Sequence, residues 1–198
     1  MKKAVRAGHA VLKKTGNVVD AVEAVIKVME DDPVFNAGRG AVLNILGQVE
    51  MDASIMDGKD SNAGAVASIS GVKHPISLAR HVMENTSHVL MVAEGAEKLA
   101  KIAGFKRIPE KWFITERAKK ELDDFKRKHN LTEINLKDIL SKNDIEGQAE
   151  GFGTVGAVVY YQGQIAAGTS TGGLTGKLPG RVGDSPLLGQ GVFADNLR

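Results

Sequence analysis

The stretch EGFGTVGAVVYYQGQIAAGTSTGG, residues 150–173, decides how the rest of the chain is read. Its opening GFGTVG, residues 151–156, has the G-x-G-x-x-G spacing of a dinucleotide-binding loop. That loop needs a strand before it, a helix after it whose N-terminus meets the pyrophosphate, and an acid about 20 residues on for the ribose. Here a polar, charged stretch comes first. The residues on its C-terminal side are rich in β-formers: TVGAVVYY, then the turn QGQ, then IAAGTST running back, the pattern of a hairpin. Farther on stands STGGLTGK, which carries no acid and is not a P-loop either. Only three residues separate Gly172 from Gly176, and Leu178 stands where Ser or Thr should follow Lys177. Residues 154–171 therefore read as a β-hairpin, with Thr154 heading its first strand directly after Gly153.

Working outward, apolar residues at helical spacing predict helices over 3–14 and 18–31, with Gly16 as a stop for the first and Pro33 forbidding continuation of the second. AVLN (41–44) and QVEMDASIM (48–56) read as short strands around Gly47, and AGAVASIS (63–70) as another. PISLARHVMEN and AEGAEKLAKIAG return to helical spacing. From about Thr115 to Glu150 both signs of charge crowd in, and the segment reads as a surface excursion: a solvated helix first, then a flexible connection.

The composition sets the broad class. Apolar residues make up 42% and charged ones 25%, which suits a folded globular chain rather than a disordered one. A net charge of +2 without a dense basic patch gives nucleic-acid binding no support. No uncharged apolar run approaches the roughly 18 residues of a membrane span, and no signal peptide is apparent. The sequence holds no cysteine, which rules out disulfides and a thiolate nucleophile and fits a cytoplasmic setting. Glycine is abundant at 23 residues and gathers in blocks, as loops that build sites require.

Few residues carry obvious chemistry. The five histidines, His9, His74, His81, His88 and His129, show no metal-ligand spacing. GDSPL, residues 183–187, lacks the last glycine of a serine-hydrolase elbow. Asp52, Asp57 and Asp60 read as turn residues flanking Gly58 rather than as an acid pair. Thr154 is different. A threonine hydroxyl needs a base beside it, and cleavage between Gly153 and Thr154 would supply one in the new α-amine, whose pKa of about 7.7–8.0 suits neutral pH.

The blocks NAGRGAVLN, VEMDASIMDG, GTVGAVV, TSTGG and GRVGDSPLLGQG, in this order, resemble the plant-type L-asparaginase and isoaspartyl peptidase family of N-terminal nucleophile hydrolases. The likeness covers most of the chain and is weakest over 100–150. It implies an α+β fold, a four-layer αββα sandwich that is incomplete in this chain. It also implies self-cleavage at Gly153–Thr154, followed by hydrolysis of L-asparagine and of the isopeptide bond of β-aspartyl dipeptides. Thr154 is then the nucleophile, and Thr171 the residue that tunes its hydroxyl. Asn36 approaches the nucleophile, while Arg181 and Asp184 hold the substrate's α-carboxylate and α-amine. The loop containing Val34, Phe35, Ala37 and Arg39 is implied to wrap a structural sodium ion with backbone carbonyls, no cofactor being needed for catalysis. Without the resemblance, Arg181 and Asp184 read as a loop ion pair and Thr171 as a strand-end threonine.

Family members also begin with an earlier strand and continue past the ADN at 194–196 into a segment that completes the oxyanion hole. The expectation is therefore one incomplete domain truncated at both ends. Residues 1–153 are its α-subunit-like part, ending in a linker from about 115, and 154–198 the start of its β-subunit-like part. Such a protein would pair as a homodimer of processed protomers. A catalytically silent relative that binds another protein stands as the alternative, with a dinucleotide-binding protein more distant.

Overall fold

The computed structural model describes residues 1–131 and 153–197. Helix α1 (Lys2–Thr15) stops where Gly16 turns left-handed, at φ 67°, and returns its N–H to the Leu12 carbonyl at 2.8 Å. Asn17 then caps α2 (Val18–Glu30), its side-chain oxygen accepting from the N–H groups of Val19 and Asp20 at 2.8 and 3.1 Å. Next come β1 (Met51–Asp57), β2 (Asn62–Ile69), α3 (Pro75–Asn85), β3 (Leu90–Val92), α4 (Ala93–Ile102), α5 (Glu116–Lys128), β4 (Val155–Tyr161) and β5 (Gln164–Thr171).

The strands form one sheet in the order β3-β2-β1-β5-β4, antiparallel except between β2 and β3. The β4–β5 hairpin turns on Gln162 and Gly163, both at positive φ, with Tyr161 opposite Gln164, the two-residue turn that matches strand twist. Helices α2 and α3 pack on one face of the sheet, and α1 lies on α2. Gly168 permits this closeness, since a Cβ there would come within 2.8 Å of Val22 and 3.0 Å of Ile26. Val22, Ile26, Ile55 and Ile76 form part of the core on this side.

The opposite face carries polar side chains at the β1–β5 seam. Residues directly paired across strands share a face, so Asp52 and Ser54 of β1 stand beside Thr171 and Thr169 of β5. Met56 and Ala167 continue this face and are covered by Val192 and Ala194 from the last segment of the chain. One helical layer on one sheet is an α+β arrangement, in agreement with an αβ half of the four-layer sandwich.

Three expectations change. Residues 41–44 are not a strand. Their backbone groups are taken by loops instead, with Val42 N–H bonding to Asn36 Oδ1 at 2.9 Å and Gly176 N–H to the Leu43 carbonyl at 2.8 Å. The segment from Thr115 begins with the expected helix, but one face of it is buried rather than solvated. Thr115 caps α5, accepting from Ala118 N–H at 3.1 Å, and Ala118, Leu122 and Phe125 bury one face of that helix. Those apolar positions are three and four apart among many charges, a stripe narrow enough to be outweighed by the average polarity. The later part of the expected connection, residues 132–152, lies outside the described residues. Finally, β3 and the short 3-10 helix Glu110–Trp112 are additions, each only three residues long.

Candidate active site

Thr154 lies just ahead of β4, exposed, and Gly153 before it is exposed as well. The Thr154 Oγ1 lies 3.2 Å from Ser185 Oγ, a hydrogen bond in which either hydroxyl can donate. Ser185 is buried and firmly placed. Its carbonyl accepts from Ser54 Oγ at 2.6 Å and from Thr169 Oγ1 at 2.8 Å, two hydroxyls that stand 3.0 Å apart across the β1–β5 ladder. A strand face that would otherwise be apolar is thus turned into a seat for the segment that meets Thr154.

Thr171 ends β5. The β4–β5 register pairs Val155 with Ser170, so one step further Thr154 comes opposite Thr171 on the same face. The Thr171 hydroxyl accepts from Gly173 N–H at 2.9 Å and so folds the strand end into the Gly172–Gly173 turn. Asn36 grips that turn from the other side. Its Nδ2 donates to the Gly173 carbonyl at 2.8 Å, its backbone carbonyl accepts from Gly172 N–H at 3.0 Å, and its Oδ1 accepts from Val42 N–H at 2.9 Å. A Cβ on Gly172 would come within 2.8 Å of Ala41, so only glycine fits.

Arg181 and Asp184 come next, on an exposed loop. They are not an ion pair with each other: among the described residues neither side chain forms a salt bridge or a hydrogen bond. Arg181 Nη1 stands close enough to Gly173 that a Cβ there would lie 3.6 Å from it. An unpaired guanidinium and an unpaired carboxylate therefore stand on the loop that carries Ser185 to the threonine.

The loop over 33–40 bends on Gly38 and Gly40, both at positive φ. The carbonyls of Pro33 and Phe35 converge beside Gly40, where a Cβ would lie 2.5 and 2.8 Å from them. Arg117 of α5 points its Nη2 at this group, 2.6 Å from the Gly40 carbonyl, 3.4 Å from that of Pro33 and 3.5 Å from that of Phe35. These carbonyls thus face a guanidinium, and of the four residues expected to hold sodium Phe35 contributes one of them, while Val34, Ala37 and Arg39 lie on the same loop.

Reading the sequence missed several contributors. Asp52 is no turn residue; it is fully buried opposite Thr171. Burial pushes its carboxyl up, while Ser68 N–H, Lys177, Gly183 N–H and Arg181 pull it back. Asp57 and Asp60 do serve turns, accepting from Lys59 and Asn62 N–H at 3.0 Å each. Lys177 is buried too, its ammonium pushed down by burial and held up by Asp52 and Glu50. Glu30 is the third. Its carboxyl accepts from Ser170 Oγ at 2.7 Å and Ile76 N–H at 3.0 Å, and burial raises its pKa from the ordinary 4.5 to about 8. Its place four residues after Ile26, itself four after Val22, was a legible sign of an acid on a buried face.

No helix among the described residues is long and apolar enough to cross a membrane. The sequence profile of the asparaginase family matches residues 1–198. Over 197 residues the chain is 47% identical to the human protein named isoaspartyl peptidase/L-asparaginase, covering 99% of this chain and 60% of that protein. The zebrafish protein of the same name is 46% identical over 197 residues, again 99% of this chain and 60% of its own length. The plant-type L-asparaginase of Pyrococcus abyssi is 50% identical over 197 residues, all of this chain and 63% of that protein. The chain thus spans less than two thirds of the length of these relatives. With the family profile matched from end to end, the chain belongs to the asparaginase family.

Proposed function

We propose that this chain carries the self-processing and amide-hydrolysing site of a threonine hydrolase acting on L-asparagine and β-aspartyl dipeptides. The observation that carries the reading is Thr154 ahead of β4, its hydroxyl 3.2 Å from Ser185 Oγ, on a loop that offers the unpaired side chains of Arg181 and Asp184. The names of the relatives support the same substrates for them.

Processing begins with Thr154 Oγ attacking the Gly153 carbonyl. The Gly153–Thr154 C–N bond breaks, an ester to Oγ forms, and the amine takes up the proton that the hydroxyl gave. Water then hydrolyses the ester, leaving Thr154 with a free α-amine and Oγ. In turnover that amine removes the hydroxyl proton as Oγ attacks the side-chain carbonyl of the substrate. Ammonia, or the amine of the dipeptide, leaves with the proton. Water resolves the acyl-enzyme to aspartate. Asparagine and β-aspartyl peptides share a free α-carboxylate and α-ammonium, which the Arg181 fork and the Asp184 carboxylate match.

Thr171 and Asn36 position Thr154 through the Gly172–Gly173 turn. A structural sodium ion on the carbonyls of Val34, Phe35, Ala37 and Arg39 belongs to the same proposal and takes no part in the chemistry. So do a homodimer of processed protomers and a cytoplasmic setting, the latter resting on the cysteine-free sequence.

The test is the intact mass of the purified chain after incubation near neutral pH, beside Thr154→Ala. Two fragments dividing at Gly153–Thr154, absent from the variant, are expected. Activity toward asparagine and β-aspartyl dipeptides is then assayed on the cut form. A chain that stays whole, like its variant, overturns self-processing.

A further inference from the structure

Arg181 sits in a loop anchored at Lys177 and Gly180 to Glu50, the residue before β1. Lys177 Nζ donates to the Glu50 carbonyl at 2.8 Å. Gly180 N–H lies between both Glu50 carboxylate oxygens, at 3.0 and 3.1 Å. Residues 177 and 180 are thus both tied to Glu50, and Arg181 directly follows the second tie.

Glu50 and Asp52 are themselves fixed. Asp52 Oδ1 accepts from Ser68 N–H at 2.8 Å and Glu50 Oε1 from Ser68 Oγ at 3.2 Å. Ser68 holds a left-handed backbone, φ 51°, where the β1–β2 register shifts. Such a bulge re-aims groups on a strand, and left-handed backbone in a non-glycine residue persists only where its surroundings impose it.

The charges also balance without pairing Arg181. Two carboxylates, Glu50 and Asp52, face two cations, Lys177 and Arg181. Lys177 is buried, its ammonium donating to the backbone carbonyl of Glu50, whereas Arg181 is exposed and feels Asp52 only through space. Burying charged groups in this way is costly unless the arrangement serves a purpose beyond stability.

We propose that Glu50 and Lys177 are positioning residues that clasp the start of the 177–184 loop and hold the Arg181 guanidinium, unspent, toward the α-carboxylate of the substrate. This rests on the proposed role of Arg181 as the carboxylate-binding residue. The clasp binds no substrate itself. Loosening it therefore weakens ground state and transition state alike, which raises KM and spares kcat.

The experiment compares Glu50→Ala and Lys177→Met with the parent chain in two readouts. Amide hydrogen exchange over 177–184 is expected to speed up about tenfold or more, an opening easier by about 1.4 kcal/mol, while the β1–β5 ladder keeps its protection. On asparagine, KM is expected to rise about tenfold with kcat within about threefold. Glu50→Gln, which keeps one acceptor for Gly180 and the backbone carbonyl for Lys177, should recover most of both.

Unchanged exchange over 177–184 overturns the clasp, as does faster exchange across the whole sheet, which would mean general destabilisation. Faster loop exchange with KM unmoved overturns the aiming of Arg181. The substrate role of Arg181 is judged separately by Arg181→Met. If that variant leaves KM unchanged, the role fails, while the exchange data still decide whether the clasp exists.

Discussion

At the scale of single residues, the proposed chemistry uses hydroxyls held by other hydroxyls. Ser54 and Thr169 fix the carbonyl of Ser185, and Ser185 meets Thr154. Ser185→Ala should slow Gly153–Thr154 cleavage on the order of tenfold, the equivalent of one hydrogen bond of about 1.4 kcal/mol. A time course of fragment masses reads this directly, and a rate equal to the parent's would remove Ser185 from the site. Glu30 adds a different expectation. Its folded pKa is raised, so the folded chain holds a proton that the unfolded chain gives up above 4.5. That contribution to stability is complete below 4.5 and is lost as pH climbs from there through about 8. Relative to Glu30→Gln, the parent should therefore lose stability across this window with a slope of up to about 1.4 kcal/mol per pH unit. Urea denaturation at several pH values checks it; parallel curves for the two proteins would show that Glu30 is ionised throughout.

At the scale of elements, α5 shows where sequence reading reaches its limit. The hairpin of β4 and β5 was legible because β-formers and a turn glycine agree locally, and so were α1 to α3, each with a cap or a proline in place. Helix α5 was legible as a helix but not as a buried one, because its apolar stripe is diluted by charge and its value lies in distant contacts. Phe125 presses on Gly176, and Arg117 reaches the carbonyls of the 33–40 loop. The role of Asp52 was hidden for a similar reason: a carboxylate before a turn looks ordinary until β5 is laid beside it. Phe125→Ala should cost about 3–5 kcal/mol, read as a fall in denaturation midpoint. Arg117→Met should leave the sheet intact while amide exchange over 33–40 quickens. A uniform change across the chain would mean that Arg117 supports the fold rather than the loop.

At the scale of the whole molecule, β4 is an edge strand of the sheet that the described residues form. The edge strand β4 exposes Val158 and Tyr160, at 67% and 71% of their surface, on the face that carries Thr154. An unpaired edge with exposed apolar side chains invites further pairing. The chain by itself should associate as its concentration rises, and Val158→Lys with Tyr160→Lys should suppress this in light scattering. Association unaffected by both substitutions would place the sticky surface elsewhere.

The strand order carries one more consequence. Because β5 lies between β1 and β4, the segment beyond Thr154 is laced into the sheet alongside β1 over six residue pairs, Asp52–Thr171 to Asp57–Ala166. A cut at Gly153–Thr154 would sever the polymer and leave the sheet whole. Native electrophoresis would then show one species where denaturing electrophoresis shows two. The deeper change is in molecularity: the intact chain refolds by a first-order route, but the nicked one must bring two strangers together. Its melting midpoint would climb with concentration, as mass action requires of any complex, and dilution after denaturation would become irreversible in practice. Processing of this kind works as a one-way ratchet, fixing a fold that the separated pieces could not readily recover.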